Sequence, residues 1–417
     1  MAKLIIEGPS KLQGEVFIHG AKNSTLPLLA AAMLCSTDCV LHNCPVLSDV
    51  DTAVDILEYL GCKTSRSGSD LLIDSSNICN SDIPDYLMRE MRSSIVFLGA
   101  IVTRTGFAKL SFPGGCEIGP RPIDLHLSAL RKMGVVIAED HGCLDCKTNG
   151  RLNGANIGFS FPSVGATENV MIAASCAKGT TVITNAACEP EICDLANFLN
   201  ECGAKISGAG QSTIVIEGVN KLSGCEHNVI PDRIAATTFM TMAAATGSTL
   251  LISNINPQHL EPVFPAFEES GCQLKLAESQ LEIAAPKRLN RIKSIRTMPY
   301  PGFPTDAQAP VMAMTTLANG TSVFVENIFE SRFKHVGELL RLGANIKVEG
   351  RVAVVEGVRR LSGAPVEAAD LRGAAALVVA GLAAEGITQI SGLKHLDRGY
   401  ETIENSLLSI GAVVKRV

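Results

Sequence analysis

One cysteine of this 417-residue chain lies in a setting that favours chemistry. Cys116 belongs to the segment 111–122, which contains three glycines and three prolines, and Arg121 follows five residues later. A nearby cation stabilises the reactive thiolate form of cysteine, and irregular loops often carry function. The sequence therefore predicts that Cys116 is reactive. His126 and Asp124, on the helix expected next, fit a buried structural pair as well as a catalytic one.

A second group of chemically capable residues recurs at one place in a repeated pattern, about fourteen residues before a glycine that ends an apolar stretch. These positions hold Lys22, Arg92, Gly165, Arg233, Asp306 and Arg372. We expect them at the N-termini of buried helices, where unpaired N–H groups and the helix dipole attract anions. One such charge would usually be a solvated helix end, but a recurring cation predicts an anion site. Asp306 differs, and fits either a helix N-cap or a general base beside a substrate.

The elements that must position these residues form six copies of one unit of about seventy residues. One series of glycines marks the expected ends of amphipathic helices, such as 49–60 and 332–342. This series is Gly61, Gly134, Gly203, Gly271, Gly343 and Gly411. A second series ends the apolar stretches, and Thr37-Asp38 holds its first place. The second series is Gly106, Gly179, Gly247, Gly320 and Gly386. Each unit is predicted to contain a buried apolar helix, a strand, an amphipathic helix and two further strands.

The start of the chain repeats text found at the ends of two later units. Residues 6–14 match residues 216–224 and 355–363. We therefore expect residues 1–19 to supply strands to the C-terminal half. The predicted fold is α/β, with one three-repeat domain over 20–229 and another over 1–19 plus 230–417. Closed pseudo-threefold domains are favoured over an open solenoid, because no repeat has a polar terminal cap.

Composition narrows the class of protein. Apolar residues make up 46% and charged residues 19%, which excludes a disordered or fibrous chain. An acid and a proline arrive too early for a signal peptide, and the longest apolar run is too short to span a bilayer. The fourteen cysteines are expected to be reduced, and none has zinc-ligand spacing; Cys143 and Cys146 come nearest but lack partners. The net charge of −6 argues against nucleic acid. These features predict a soluble cytoplasmic protein without a metal.

Six motifs stand at residues 20–23, 113–119, 163–169, 303–306, 370–372 and 397–401. Together they resemble the enolpyruvyl transferases, and within that family those that use UDP-N-acetylglucosamine. The resemblance runs from about residue 3 to 416. The resemblance implies two inverse α/β barrel domains, each of three repeats, with the active site in the cleft between them.

The resemblance also implies a reaction. The enolpyruvyl group of phosphoenolpyruvate would pass to the 3′-hydroxyl of UDP-N-acetylglucosamine with release of phosphate, the first committed step of peptidoglycan synthesis. Cys116 would be the acid that forms a covalent adduct, and the target of fosfomycin, while Asp306 would be the base and Lys22 and Arg398 further catalytic residues. No cofactor, metal, nucleic acid, membrane or obligate protein partner is implied.

The family's substrate contacts carry over to matching positions of this chain. The cations implied to hold phosphoenolpyruvate are Lys22, Arg121, Arg372 and Arg398, with Arg92 close by. The nucleotide-sugar contacts would be Asn23, Arg121, Pro122, Ile123, Asp124, Leu125, Ser163, Val164, Gly165, Asp306 and Ile328, and Thr305 and Arg332 complete the substrate-binding set.

Two positions of the chain depart from the family pattern. Ala235 stands where an acidic residue is common, and Phe161-Pro162 replaces a stretch that carries a lysine in some members.

Three alternative functions differ in the residues that they require. A 5-enolpyruvylshikimate-3-phosphate synthase would share the anion clamp but lacks the cysteine loop. An RNA 3′-phosphate cyclase would need a nucleophilic histidine and a more basic face. A catalytically silent or regulatory copy would be expected to have lost the charged helix ends.

Overall fold

The computed structural model describes residues 2–114 and 122–417. Within them the helices of each repeat are of two kinds, one buried on nearly every side and one amphipathic. In chain order the α-helices are α1 (Lys22–Ala32), α2 (Ser48–Leu60), α3 (Asp85–Glu90), α4 (Phe97–Thr105), α5 (Asp124–Lys132), α6 (Val164–Ser175), α7 (Pro190–Glu201), α8 (Arg233–Ala245), α9 (Phe264–Glu269), α10 (Thr305–Thr315), α11 (Val336–Arg341), α12 (Leu371–Ala383) and α13 (Ile403–Ser409). The buried kind comprises α1, α4, α6, α8, α10 and α12.

The strands of the described residues form six sheets of four strands each. In chain order they are β1 (Leu4–Gly8), β2 (Gln13–Phe17), β3 (Cys39–His42), β4 (Lys63–Ser67), β5 (Asp70–Asp74), β6 (Asp82–Ile83), β7 (Phe107–Ser111), β8 (Val136–Asp140), β9 (Cys143–Lys147), β10 (Asn156–Gly158), β11 (Thr180–Thr184), β12 (Lys205–Ser207), β13 (Thr213–Glu217), β14 (Glu226–Asn228), β15 (Thr249–Ser253), β16 (Gln273–Leu276), β17 (Gln280–Ala284), β18 (Ser294–Arg296), β19 (Thr321–Val325), β20 (Asn345–Glu349), β21 (Val352–Glu356), β22 (Pro365–Glu367), β23 (Gly386–Ser391) and β24 (Val413–Arg416).

All six sheets share one topology. In the sheet β10-β11-β13-β12 the first pair is parallel and the next two pairs are antiparallel, and the other five follow the same rule. The expected six-fold repetition of one unit is therefore confirmed. Each amphipathic helix is followed by a glycine with positive φ, from 87° to 107°, which only glycine adopts without strain.

The described residues divide into two compact units. The first unit comprises residues 20–114 and 122–230, and the second comprises residues 2–19 and 231–417. In the first unit α1, α4 and α6 pack against one another, and in the second α8, α10 and α12 do the same. Each unit has its own core of mainly aliphatic side chains.

The N-terminal strands lie in sheets of the second unit, as the matching text predicted. Strand β1 lies between β23 and β24 and is antiparallel to both, with Leu4 opposite Ile390 and Arg416. Strand β2 pairs in parallel with β15. In the first unit the corresponding edge position beside β3 is filled by β14.

One amphipathic helix, α11, is shorter than the sequence predicts. The segment 332–342 was expected to be helical throughout, but α11 begins only at Val336, and Arg332 lies in the preceding turn. That turn buries Arg332 to 3% exposure, which a regular surface helix would not do. No helix of the described residues is long and apolar enough to cross a membrane.

Candidate active site

The recurring positions do lie at the starts of the buried helices. Lys22 and Arg233 are the first residues of α1 and α8, and Gly165, Asp306 and Arg372 are the second residues of α6, α10 and α12. Arg92 begins a 3₁₀ turn, Arg92–Val96, that leads into α4. The predicted position of these residues at the starts of the buried helices is confirmed.

In the first unit, the Lys22 ammonium is held by a carboxylate that sequence reasoning missed. Its Nζ donates to Asp49 Oδ2 at 3.0 Å, and the two side chains are 10% and 5% exposed. Asp49 lies in the first turn of α2, whose helix dipole also favours a negative charge there. The pair therefore fixes the position of Lys22 at the start of α1. Asn23, the next residue, is half-buried.

The chain entering the cysteine segment is fixed against the turn that carries Arg92. Arg92 Nη1 donates to the carbonyl oxygen of Pro113 at 3.3 Å, and the Gly114 amide donates to Met88 at 3.1 Å. A Cβ on Gly114 would lie 2.3 Å from the carbonyl oxygen of Arg89, so only glycine fits. Residues 115–121 lie outside the described residues, and with them Cys116 and Arg121. Their proposed roles remain predictions.

The start of α6 combines a side-chain cap with free backbone donors. Ser163 is the N-cap, and its Oγ accepts from the Ala166 amide at 3.4 Å. The amides of Val164 and Gly165 are in the first helical turn, where they have no acceptor within the helix. Such a terminus can bind a phosphate or carboxylate. Both residues are half-buried, so a ligand can reach them.

His126 packs on this helix start, and its partner is an asparagine. Asn169 Oδ1 accepts from the Gly99 amide at 2.7 Å, so its Nδ2 is the donor to Ile95 and to His126 Nδ1, 3.0 Å away. The imidazole is therefore a neutral tautomer with the proton on Nε2. A Cβ on Gly165 would lie 3.2 Å from His126 Cε1.

The residues just before His126 begin α5. Asp124 is exposed at the first position of that helix, whereas His126 is buried, so the expected buried pair between them is wrong. Pro122 is exposed, Ile123 is buried and Leu125 is half-buried.

In the second unit, one carboxylate lies between two buried guanidinium groups. Asp306 Oδ1 accepts from Arg332 Nη2 at 2.8 Å, and Oδ2 accepts from Arg372 Nη2 at 2.9 Å. The arginine side chains are 4% exposed and the aspartate 28%. Pro304 occupies the N-cap position of α10 without a side-chain bond, so the N-cap alternative for Asp306 is wrong. The carboxylate instead neutralises two buried cations.

Arg372 is further held by a tyrosine. Its Nη1 lies 3.4 Å from Tyr400 Oη, which is 2.8 Å from Thr238 Oγ1. Burial lowers the pKa of Arg372, but the charge of Asp306 outweighs it and the pKa is raised overall. Burial raises the pKa of Tyr400. Arg372 is therefore a permanent cation and Tyr400 a neutral hydrogen-bonding group.

Glu326, for which no sequence pattern provides a signal, holds the two substrate candidates Thr305 and Ile328. The carboxylate is 1% exposed. Thr305 Oγ1 donates to its Oε2 at 3.1 Å, and the Ile328 amide donates to its Oε1 at 2.9 Å. Glu326 therefore ties the start of α10 to the turn after β19. The structure thus gathers Thr305, Asp306, Arg332 and Arg372, with Ile328 joined to them through Glu326.

Arg398 lies half-buried between two fixed residues. On one side, Asp397 accepts from Arg416 at 2.8 and 3.1 Å. On the other, a Cβ on Gly399 would lie 2.9 Å from Leu371 Cδ1, so the backbone passes closely over the start of α12. The side chain of Arg398 projects from a segment that is held at both ends.

The two departures from the family occupy different environments. Ala235 is 1% exposed in the first turn of α8, and its amide donates to the N-cap Asp232 at 2.9 Å. A carboxylate there would be buried beside Asp232, so alanine fits this helix start. Phe161 is 44% exposed just before α6.

The fold and these charged helix ends define a class of carboxyvinyl-transferring enzymes, and the chain belongs to it. The sequence model of the family described as EPSP synthase (3-phosphoshikimate 1-carboxyvinyltransferase) matches residues 6–407. The chain is therefore a member of the enolpyruvyl transferases.

Curated relatives within this family share half of their residues with the chain. The UDP-N-acetylglucosamine 1-carboxyvinyltransferase 2 of Caldanaerobacter subterraneus subsp. tengcongensis is 52% identical, with both chains fully covered. The UDP-N-acetylglucosamine 1-carboxyvinyltransferase 1 of Carboxydothermus hydrogenoformans is 50% identical over all of this chain and 99% of its own.

Solved structures confirm the predicted fold. The enolpyruvyl transferase NikO from Streptomyces tendae superposes with a TM-score of 0.91 at 25% identity, covering 100% of this chain and 99% of its own. An EPSP synthase from Acinetobacter baumannii has a TM-score of 0.76 at 16% identity with full coverage of both chains, which shows the shared fold alone.

Proposed function

We propose that this chain transfers the enolpyruvyl group of phosphoenolpyruvate to the 3′-hydroxyl of UDP-N-acetylglucosamine and releases phosphate. Relatives that are 47% to 52% identical over the full chain carry the name of this activity, which supports the proposal. The structural observation that carries it is the position of Asp306, at the start of α10, between the guanidinium groups of Arg332 and Arg372. Arg372 lies at the start of a second buried helix, α12.

The chemistry of the reaction explains why a carboxylate and cations are needed together. Addition to C2 of phosphoenolpyruvate gives C3 a proton and removes one from the sugar hydroxyl. Elimination then removes phosphate from C2 and a proton from C3, which restores the double bond. Both substrates are anions, so guanidinium groups that donate two parallel hydrogen bonds suit their phosphate and carboxylate oxygens. The carboxylate supplies the proton acceptor.

Asp306 cannot accept a proton readily while both oxygens are engaged by arginines, because nearby cations favour the ionised form. We propose that an anionic substrate group takes over one guanidinium, either Arg332 or Arg372, when it binds. The exchange keeps the buried cation paired and releases one carboxylate oxygen toward the sugar hydroxyl. In this scheme the arginines hold the substrate, and their release of Asp306 makes it a base only in the bound state.

The first unit supplies the complementary proposal for substrate binding. Lys22, fixed by Asp49, contributes a cation, and the amides of Val164 and Gly165 are free within α6 to bind the diphosphate of the nucleotide sugar. Arg92 and Arg398 add further positive charge. Asn23 and residues 122–125 complete the proposed sugar-nucleotide contacts.

The remaining parts of the proposal rest on the sequence resemblance. Cys116 donates the proton to C3 and forms a covalent adduct, Arg121 contacts both substrates, and the reaction is the first committed step of peptidoglycan synthesis. Incubation with fosfomycin followed by intact-mass analysis and peptide mapping should then find one adduct, on Cys116. An adduct on another cysteine would contradict this role. The cytoplasmic location stays a prediction.

The decisive experiment measures phosphate release from phosphoenolpyruvate with two acceptors in parallel. Release with UDP-N-acetylglucosamine and none with shikimate 3-phosphate is expected. The opposite pattern would assign the chain to the shikimate branch of the family, and release with neither acceptor would indicate a silent copy.

Two matched variants test the roles of the charged residues. Arg372→Met removes a buried cation that pairs with Asp306 and should lower kcat/KM at least a hundredfold. Arg351→Met removes an arginine that is 45% exposed and paired with Glu330, and it should leave turnover unchanged. Equal rates in the two variants would contradict the proposed clamp.

A further inference from the structure

Four cysteines meet at the ends of α1 and α7, within the first unit. Cys35 follows α1, Cys39 begins β3, Cys202 follows α7 and Cys225 precedes β14. The first three are 0%, 0% and 2% exposed, and Cys225 is half-buried. Two come from the first repeat and two from the third, so the group joins segments more than 160 residues apart.

The sulfur atoms have the spacing of a metal-binding group. Cys35 and Cys202 Sγ are 3.6 Å apart, and the sulfurs of Cys35, Cys39 and Cys202 all lie within 4.8 Å of one another. Cys225 Sγ lies 3.2 Å from Cys202 Sγ. In a tetrahedral zinc–thiolate site with Zn–S bonds of about 2.3 Å, neighbouring sulfurs are roughly 3.8 Å apart. The mutual spacings of Cys35, Cys39 and Cys202 are compatible with that value, and Cys225, beside Cys202, supplies the fourth ligand once its side chain rotates toward the other three.

The backbone that carries these cysteines is held in place by hydrogen bonds between the two repeats. The Val40 amide donates to the carbonyl of Cys225 at 2.9 Å in the parallel pair β3–β14, and the Ser36 amide donates to Leu222 at 3.0 Å. Three of the four ligands are thus positioned by regular structure before any ion binds. Cys35 and Cys39 also have the C-x₃-C spacing found in structural zinc sites.

Three of the four sulfurs, those of Cys35, Cys39 and Cys202, belong to buried side chains. A single disulfide would account for only two of the four sulfurs, whereas one metal ion accounts for all of them.

We propose that Cys35, Cys39, Cys202 and Cys225 together bind one thiophilic divalent cation, with zinc as the best fit. Binding replaces up to four S–H protons, which pass to solvent, by four metal–sulfur bonds, and involves no change of oxidation state. The ion would join the end of the first repeat to the end of the third. Lys22 begins α1 thirteen residues before Cys35, roughly 20 Å away along a helix, so the site is separate from the proposed active site.

The proposed site differs from the one place where the sequence suggests an approach to zinc-ligand spacing, Cys143 and Cys146. Cys143 is exposed and Cys146 is buried in β9, so those two side chains lie on opposite faces of the strand. The group at the ends of α1 and α7 was missed because half of it lies in another repeat.

The test uses the full chain, purified under reducing conditions and stripped of metal. Titration with Co²⁺ should give a sulfur-to-cobalt charge-transfer band and intense ligand-field bands that saturate at one ion per chain and disappear when Zn²⁺ is added. Metal analysis of protein grown with zinc should find about one equivalent. Protein that binds neither ion stoichiometrically, or whose mass is two daltons low because of a disulfide, would overturn the proposal.

Two variants keep the test specific. Cys39→Ser should weaken Co²⁺ binding at least tenfold and reduce the charge-transfer intensity. Cys146→Ser, which removes another buried thiol of the same unit, should leave both unchanged. Equal loss in the two variants would refute the assigned ligands. Far-UV circular dichroism checks that each variant is folded. If a variant does not fold, the Co²⁺ absorption bands of the unsubstituted protein still test the proposal.

Discussion

Replacing Asp306 with alanine should destabilise the second unit far more than a surface substitution does. The change leaves Arg332 and Arg372, each 4% exposed at the side chain, without their shared carboxylate. Breaking a buried ion pair on one side typically costs about 3–5 kcal/mol, because an uncompensated charge stays buried. An exposed helix-end residue costs about 1 kcal/mol or less. The two buried arginines favour the larger value.

Urea unfolding followed by far-UV circular dichroism measures this loss. With a slope of about 2 kcal/mol per molar urea, Asp306→Ala should lower the midpoint by about 1.5–2.5 M. Glu330→Ala, which breaks an exposed pair with Arg351 in the same unit, should lower it by less than about 0.5 M. Adding Arg332→Met to Asp306→Ala should recover part of the loss, since it removes one of the stranded charges. Equal shifts for Asp306→Ala and Glu330→Ala would refute the reasoning.

Three further predictions concern pH, substrate binding and the fixed lysine. Burial lowers the pKa of His335 to about 4. The unfolded chain therefore takes up a proton at this residue below a pH of about 6.5, while the native state does not. The free energy of unfolding should fall by about 2 kcal/mol between pH 6.5 and pH 5. Urea midpoints at the two pH values should show a smaller fall in His335→Gln. Gly165→Ala places a Cβ 3.2 Å from His126 and should raise KM for the nucleotide sugar at least fivefold, whereas Gly337→Ala, with open space around it, should leave KM unchanged. Asp49→Asn should lower kcat/KM about tenfold without unfolding the protein, because the amide still accepts a hydrogen bond; an unchanged rate would remove the lysine paired with it from the mechanism.

Local signals in the sequence were enough to predict the repeated scaffold. A glycine after an amphipathic helix has a positive φ that other residues resist, so Gly61 and its counterparts mark helix ends independently of tertiary structure. Stretches that are apolar on nearly every side likewise predict buried helices without knowledge of their packing partners. The match of residues 6–14 to later text located β1, because both copies must fill the same place in a sheet.

The partners of the charged residues could not be predicted. Asp306 bonds arginines 26 and 66 residues away, and His126 bonds an asparagine 43 residues away. No local pattern sets such pairs, since they depend on how segments far apart in the chain pack together. The sequence therefore located the chemically capable residues, but it left Asp306 as either a cap or a base, and it paired His126 with Asp124 instead of Asn169.

The place of β1 between β23 and β24 orders events during synthesis. All the strands of the first unit come from residues 39–228, so this unit can fold while later residues are still being made. The second unit must wait until residue 416, because its last sheet has β1 as an inner strand. Through that interval the earliest segments to leave the ribosome keep unpaired strand edges, which are prone to aggregate. A nascent chain arrested near residue 385 should therefore recruit chaperones at its first twenty residues, whereas one arrested near residue 240 should already hold a protease-resistant first unit.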